Sequence, residues 1–216
     1  MGSSMPTSAT SWDPLSAEDV AALFDSSSVR WWLSGGAAID RWAGGRIRER
    51  ENTDISTLIR DLPALVEQLP SHLSTWISDD GDFLRFAPGP CDADPQPIMV
   101  LDEVRGVWVL QINIEDGTDR VWVYKRDPRL QVPWDRAVLD LDGIPTGAPE
   151  VQLVWKALRP RPEDDTDKEA VLPRLSSEAR AWWEKAILTI HPHSSWSIHV
   201  RSPLSPAKAS WERSKG

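Results

Sequence analysis

The chain has 216 residues and a formal net charge of −9, from 33 Asp and Glu against 24 Lys and Arg. That balance argues against bulk binding to nucleic acid, which needs a basic face, and is compatible with a cationic small-molecule ligand or simply with an acidic soluble protein. No apolar run approaches the ~20 residues that span a bilayer, and the one cysteine, Cys91, excludes a disulfide framework, so a cytoplasmic, membrane-free protein is expected.

Residues 1–14 are rich in Ser, Thr and Pro and are expected to be disordered. They lack the basic start and apolar core of a secretory signal, and Gly2-Ser3-Ser4 reads as an expression scar ahead of a natural start at Met5. Ser16, with Asp19 three residues on, resembles a capping box opening a helix to about Asp25. Trp32 and Leu33 lead into Ser34-Gly35-Gly36, followed by a short helix with Ala37, Ala38, Ile39, Trp42 and Ala43 as its apolar positions. Gly44-Gly45 stops it. Arg46, Arg48 and Arg50 follow, and then a β-branched run, Thr53–Ile59.

A helix from Asp61 with Pro63 in its first turn ends at Pro70. Two short strands are expected near Thr75–Ile77 and Phe83–Arg85, then a proline-rich loop over 87–97. Strands at Ile98–Asp102 and Val107–Ile114 come next, with Glu115-Asp116-Gly117 as a hairpin turn and Val121–Tyr124 returning as an antiparallel meander. Ala137–Leu141 adds an edge strand. From Pro149 the pattern is helical, over 149–158, 164–172 and 176–190. The reading is α/β (α+β): a mixed sheet over 15–148 flanked by helices, a C-terminal helical region over 149–196 and a mobile tail over 197–216. Most of the 13 Trp are expected in the core.

The chemistry legible here is phosphate handling. Two glycines before a helix let the backbone approach a ligand, and the helix N-terminus offers unpaired N–H groups to a phosphate. Asn52 and Asp54 are two apart, so on one strand both oxygens can face one metal ion. Magnesium takes oxygen ligands of this kind together with substrate phosphates.

These residues resemble the nucleotidyltransferase fold, in its aminoglycoside adenylyltransferase-like branch. The pattern Gly-Gly-x-Ala-hydrophobic-Asp falls on Gly35, Gly36, Ala38, Ile39 and Asp40, and the later Arg-x-His-x-Asp-x-Asp-hydrophobic pattern on Arg48, Arg50, Asn52, Asp54 and Ile55. The likeness continues in Val121–Leu130 and Asp142–Leu158, and covers most of Ser16–Trp196. It implies Asp54 and Asn52 as catalytic and metal-binding residues, and Ser34, Gly35, Gly36, Asp40, Arg48 and Lys156 at a nucleotide. Asp40 orders the loop rather than reacts, and Lys156 either faces the cleft or favours its helix end. Arg48 either binds phosphate or balances Glu49, Glu51 and Asp61. Glu163 and Asp164 either receive an amine-bearing acceptor or form a solvated helix start.

The resemblance implies Mg2+ as cofactor and a nucleoside triphosphate, with ATP favoured, as substrate. It also shows departures. The family's first metal Asp is Asn52, its His is Arg50, its Lys-Asp after the helix is Glu163-Asp164, and a third carboxylate expected on a later strand falls near Gln111. Two functions therefore stand: transfer of a nucleotidyl group, AMP by preference, to a small-molecule hydroxyl, or a catalytically degenerate binding module on the same fold.

Overall fold

A mixed sheet organises the chain, and the computed structural model describes it over residues 6–7, 10–24, 29–79, 82–87 and 97–202. At its centre are β1 (Trp31–Ser34) and β2 (Asp54–Leu58), antiparallel and joined through α2 (Gly35–Ala43). β2 lies parallel to β6 (Val107–Gly117), and β1 parallel to β10 (Ile144–Gly147). Outward from β6 run β5 (Ile98–Asp102), β3 (Leu73–Asp79) and β4 (Asp82–Arg85), all antiparallel; outward from β10 lies β9 (Val138–Leu141). β7 (Val121–Val123) and β8 (Gln131–Pro133) continue from the far end of β6.

Burial follows strand alternation. All four residues of β1 are buried, as a strand covered on both faces requires. Trp31 and Leu33 join a core with Val20, Leu62 and Leu65 from α1 (Ala17–Leu23) and α3 (Leu62–Val66). Trp32 points the other way, into a core with Val151, Leu153 and Val154 of α5 (Pro149–Ala157) and Trp183 and Ile187 of α7 (Ser177–Ile190). The capping box at Ser16 is present, with Asp19 N donating to Ser16 Oγ at 3.0 Å. Seven Trp are buried to 8% exposure or less, as expected of a Trp-rich core.

The expected meander needs correction. β6 continues through Glu115-Asp116-Gly117, and the turn comes at 118–120, where Thr118 Oγ1 accepts from the N–H groups of Arg120 and Val121. The expected antiparallel pairing of β6 with β7 is present, and the Asp54 strand lies parallel to β6 on its other side. β8, α4 (Trp134–Ala137) and β10 are additional short elements. The 1–14 segment is ordered at its end: Asp13 and Leu15 donate to Trp108 and Val109 carbonyls, and Trp12 packs on Trp108. Apolar Trp12 and free edge groups of β6 supply the reason. Cys91 lies outside the described residues, as do residues 203–216. No helix among the described residues is long and apolar enough to cross a membrane.

The tail expected from 197 begins instead inside a helix, α8 (Ser195–Arg201), capped by Ser194. Trp196 anchors it, 2% exposed, 6.2 Å from the Trp183 ring, its indole N–H donating to Asp165 at 2.8 Å. Trp196→Ala is expected to cost about 3–5 kcal/mol of stability. Urea unfolding checks this, and a midpoint unchanged from wild type would show that α8 adds nothing to the fold.

Candidate functional site

The segment Leu110-Gln111-Ile112-Asn113-Ile114-Glu115 alternates apolar and polar residues. Leu110, Ile112 and Ile114 enter the core with Ile55. Gln111, Asn113 and Glu115 therefore face the other side of the sheet. Parallel register places Asp54 beside Gln111 and Ser56 beside Asn113, on that same side. Asp54, Ser56, Asn113 and Glu115 line a cleft of about 400 Å³. Ser34 and Gly35 close one end, Gln152 and Lys156 of α5 form a wall, and Arg126, Arg159 and Arg161 stand around it.

The glycine turn meets the carboxylate. Gly35 opens α2 with φ +56°, and a Cβ there would lie 2.7 Å from Asp54 Oδ2. Its N–H donates to Gln152 Oε1 at 2.8 Å. Ser34 Oγ and Gln152 Nε2, both buried, have no hydrogen-bond partner. Gly36 serves a different neighbour: a Cβ there would meet Arg50 Cδ and Nε at 2.8 Å. The space expected for phosphate at Gly36 holds the Arg50 side chain.

Three amides surround Asp54. Its Oδ1 accepts from Gln111 Nε2 at 2.8 Å, Asn52 Nδ2 at 3.1 Å and Asn113 Nδ2 at 3.2 Å. Burial pushes the Asp54 carboxyl up, against the opposing pull of the Asn113 hydrogen bond and the Lys156 charge. A divalent cation needs oxygen lone pairs, yet the groups converging on Oδ1 present N–H protons. Asn113 Oδ1 is itself occupied by Gln111 Nε2 at 3.2 Å. Among the described residues no three His, Cys, Asp or Glu side chains gather to hold a metal ion. This donor set does not fit magnesium.

The metal expectation for Asn52 is corrected accordingly: it lies ahead of β2, borders a second cavity beside Asp40 and Arg50, and reaches Asp54 as a donor. Gln111, where a third carboxylate was expected, pairs in register with Asp54 and is an amide, and Asn113 two residues on lines the cleft floor.

The expected phosphate-binding arginine is engaged elsewhere. Arg48 Nε and Nη2 donate to Asp167 at 3.2 and 3.1 Å. Arg50 donates to Asp40 at 2.9 and 2.5 Å and to Asp167 at 3.0 and 2.8 Å. Asp40 thus orders the arginine loop, also accepting from Ile47 N at 3.1 Å, and does not line the cleft. Lys156 does line it, while pairing with Asp164 at 2.6 Å and Asp167 at 3.1 Å.

Asp164 and Asp167 sit three apart on α6 (Pro162–Val171), on one buried face. Their exposures are 3% and 0%, which removes the solvated-helix reading for Asp164. Burial alone would raise Asp167; its bonds from Arg50 and Arg48 hold it instead at about 2. Burial likewise opposes the lowering of Asp164, which Lys156 and Arg161 produce. Glu163 remains at the outer face, paired with Arg161 at 3.2 Å. Asp164 borders the cleft, and both Glu163 and Asp164 are ion-paired.

Glu115 is the second cleft carboxylate, buried, and pushed up by that burial. It accepts from the indole N–H groups of Trp122 and, at 3.2 Å, Trp155. Asn113, Glu115, Gln152, Arg126 and Arg159 were not singled out in the sequence as site residues. Alternation along Gln111-Ile112-Asn113-Ile114-Glu115 carries the signal for the first two, and Gln152 lies one helical turn before Lys156.

This fold is shared with solved nucleotidyltransferases. The solution structure of the antibiotic-resistance factor ANT(2'')-Ia aligns with TM-score 0.50 at 16% identity, covering 85% of this chain and 94% of its own. The lincomycin-bound lincosamide antibiotic adenylyltransferase LnuA aligns at 0.49 and 17% identity, covering 71% and 92%. ANT(2'')-Ia in complex with adenylyl-2''-tobramycin aligns at 0.45 and 15%, covering 78% and 93%. The fold is that of a nucleotidyltransferase. Residues 17–112, which hold the glycine turn, Asp54 and the start of β6, match the family model for aminoglycoside-2''-adenylyltransferase. Over that segment the chain is similar to the aminoglycoside-2''-adenylyltransferases. No curated protein matches it.

Proposed function

We propose that the chain binds a nucleoside triphosphate, ATP by preference, in the Asp54 cleft as a cytoplasmic, catalytically reduced relative of the adenylyltransferases. The observation that carries this reading is the triple-amide environment of Asp54: a glycine turn and a cationic wall border the cleft, while the groups gathered on Asp54 Oδ1 are amides rather than the further carboxylates a metal site uses. Ser34, Gly35 and Lys156 are the residues best placed for phosphate. The lone cysteine supports a reducing compartment.

One observation favours the second reading, transfer of AMP to a hydroxyl of a small molecule. Glu115 places a second carboxylate in the same cleft, with its proton affinity raised. In that reaction the acceptor oxygen attacks the α-phosphorus, pyrophosphate leaves and a base takes the hydroxyl proton. The antibiotics named for LnuA and ANT(2'')-Ia, lincomycin and tobramycin, are the first acceptors to test.

Calorimetry with ATP should show saturable binding at one site, with no pyrophosphate released when either acceptor is added. Release of pyrophosphate with adenylylated acceptor, lost in Glu115→Gln, would replace the module reading with the transferase one. No heat with any nucleoside triphosphate would remove both.

A further inference from the structure

We infer that the cleft takes its polyphosphate ligand without a divalent metal; this rests on the nucleotide reading above. In a metal-dependent site, clustered carboxylates repel one another and the triphosphate until a cation joins them. Here the Asn52, Gln111 and Asn113 amides direct N–H groups at Asp54 Oδ1, stabilising its negative charge without any ion.

The countercharge for phosphate is supplied by the chain. Arg126 and Arg159 border the cleft, are exposed, and form no salt bridge among the described residues. Arg161 and Lys156 stand beside them, partly committed to Asp164. Guanidinium groups suit phosphate oxygens through paired N–H donors. The selected ligand form is therefore the free polyphosphate anion, not its magnesium complex.

The test is calorimetry of the full chain with ATP, once in excess EDTA and once in magnesium. The Kd in EDTA should equal or fall below that in magnesium. The N52D/N113D variant should lose binding in EDTA by about tenfold or more and regain it with magnesium, because it restores the repelling carboxylates. Its thermal unfolding is followed alongside. Arg159→Ser, at an exposed position, should weaken binding in EDTA by about tenfold, and keeps the test decisive if the double variant does not fold. Wild-type binding seen only with magnesium overturns the inference and leaves the nucleotide reading standing. Absence of binding in both buffers overturns both.

Discussion

Asp167→Asn is expected to destabilise the protein by about 3 kcal/mol, the lower part of the range for breaking a buried ion pair. Asp167 is fully buried and receives Arg48, Arg50 and Lys156 together. Asparagine keeps the shape and loses the charge, leaving three cations to share Asp40 and Asp164. Those two carboxylates already touch Arg50 and Lys156, which limits the loss. Urea unfolding at neutral pH reads the difference.

The same residue fixes a pH dependence. The Asp167 carboxyl sits at about 2 in the fold, against about 3.9 for an unperturbed Asp. A lowered folded value means the stabilisation is present above the unfolded value and is lost as pH falls from about 4 towards 2. Asp164, also lowered, adds in the same direction. Wild type should thus lose stability across that window faster than Asp167→Asn. Parallel acid limbs for the two proteins would show that another carboxylate governs acid unfolding.

The ion network explains much of what the sequence concealed. Glu163, Asp164, Asp165 and Asp167 look alike in a row, and acidic residues at a helix start ordinarily meet water. Only the packing of α6 against α2 and the arginine loop decides that Asp164 and Asp167 turn inward while Asp165 pairs with Lys168 outside. Arg48 and Arg50 suffered the same ambiguity, since phosphate and buried carboxylate both suit a guanidinium. What local pattern does determine was legible: the capping box at Ser16, the glycine turn before α2, the strand carrying Asp54, and the helices from Pro149. Strand direction was not, because β2 and β6 pair in parallel between residues 57 positions apart in the chain, and no local signal encodes that. The short β8 and β10 are held by their neighbours rather than by their own composition. Trp196 was lost among polar neighbours, although its buried indole and the Ser197 hydroxyl, which donates to the Ile187 and His191 carbonyls, dock the seven-residue helix.

Gly35→Ala is expected to cost about 2–4 kcal/mol and to abolish ligand binding, by two additive effects. The residue has φ +56°, a conformation that costs a side-chain-bearing residue about 1–2 kcal/mol. The new methyl would also stand 2.7 Å from Asp54 Oδ2, so the carboxylate has to move. Its movement stretches the bonds from Asn52, Gln111 and Asn113, and takes Gly35 N away from Gln152 Oε1. The damage therefore falls on the cleft floor itself, unlike a loss of helix propensity. Gly45→Ala is the matched control: Gly45 lies ten residues on, its φ is not positive, and a Cβ there meets nothing within 4 Å. It should change stability by less than about 0.5 kcal/mol. Thermal unfolding and ATP calorimetry on the two variants separate the cases. A Gly35→Ala protein that melts and binds like the Gly45→Ala control would show that Asp54 yields freely, and that the close approach of turn and carboxylate does not shape the site.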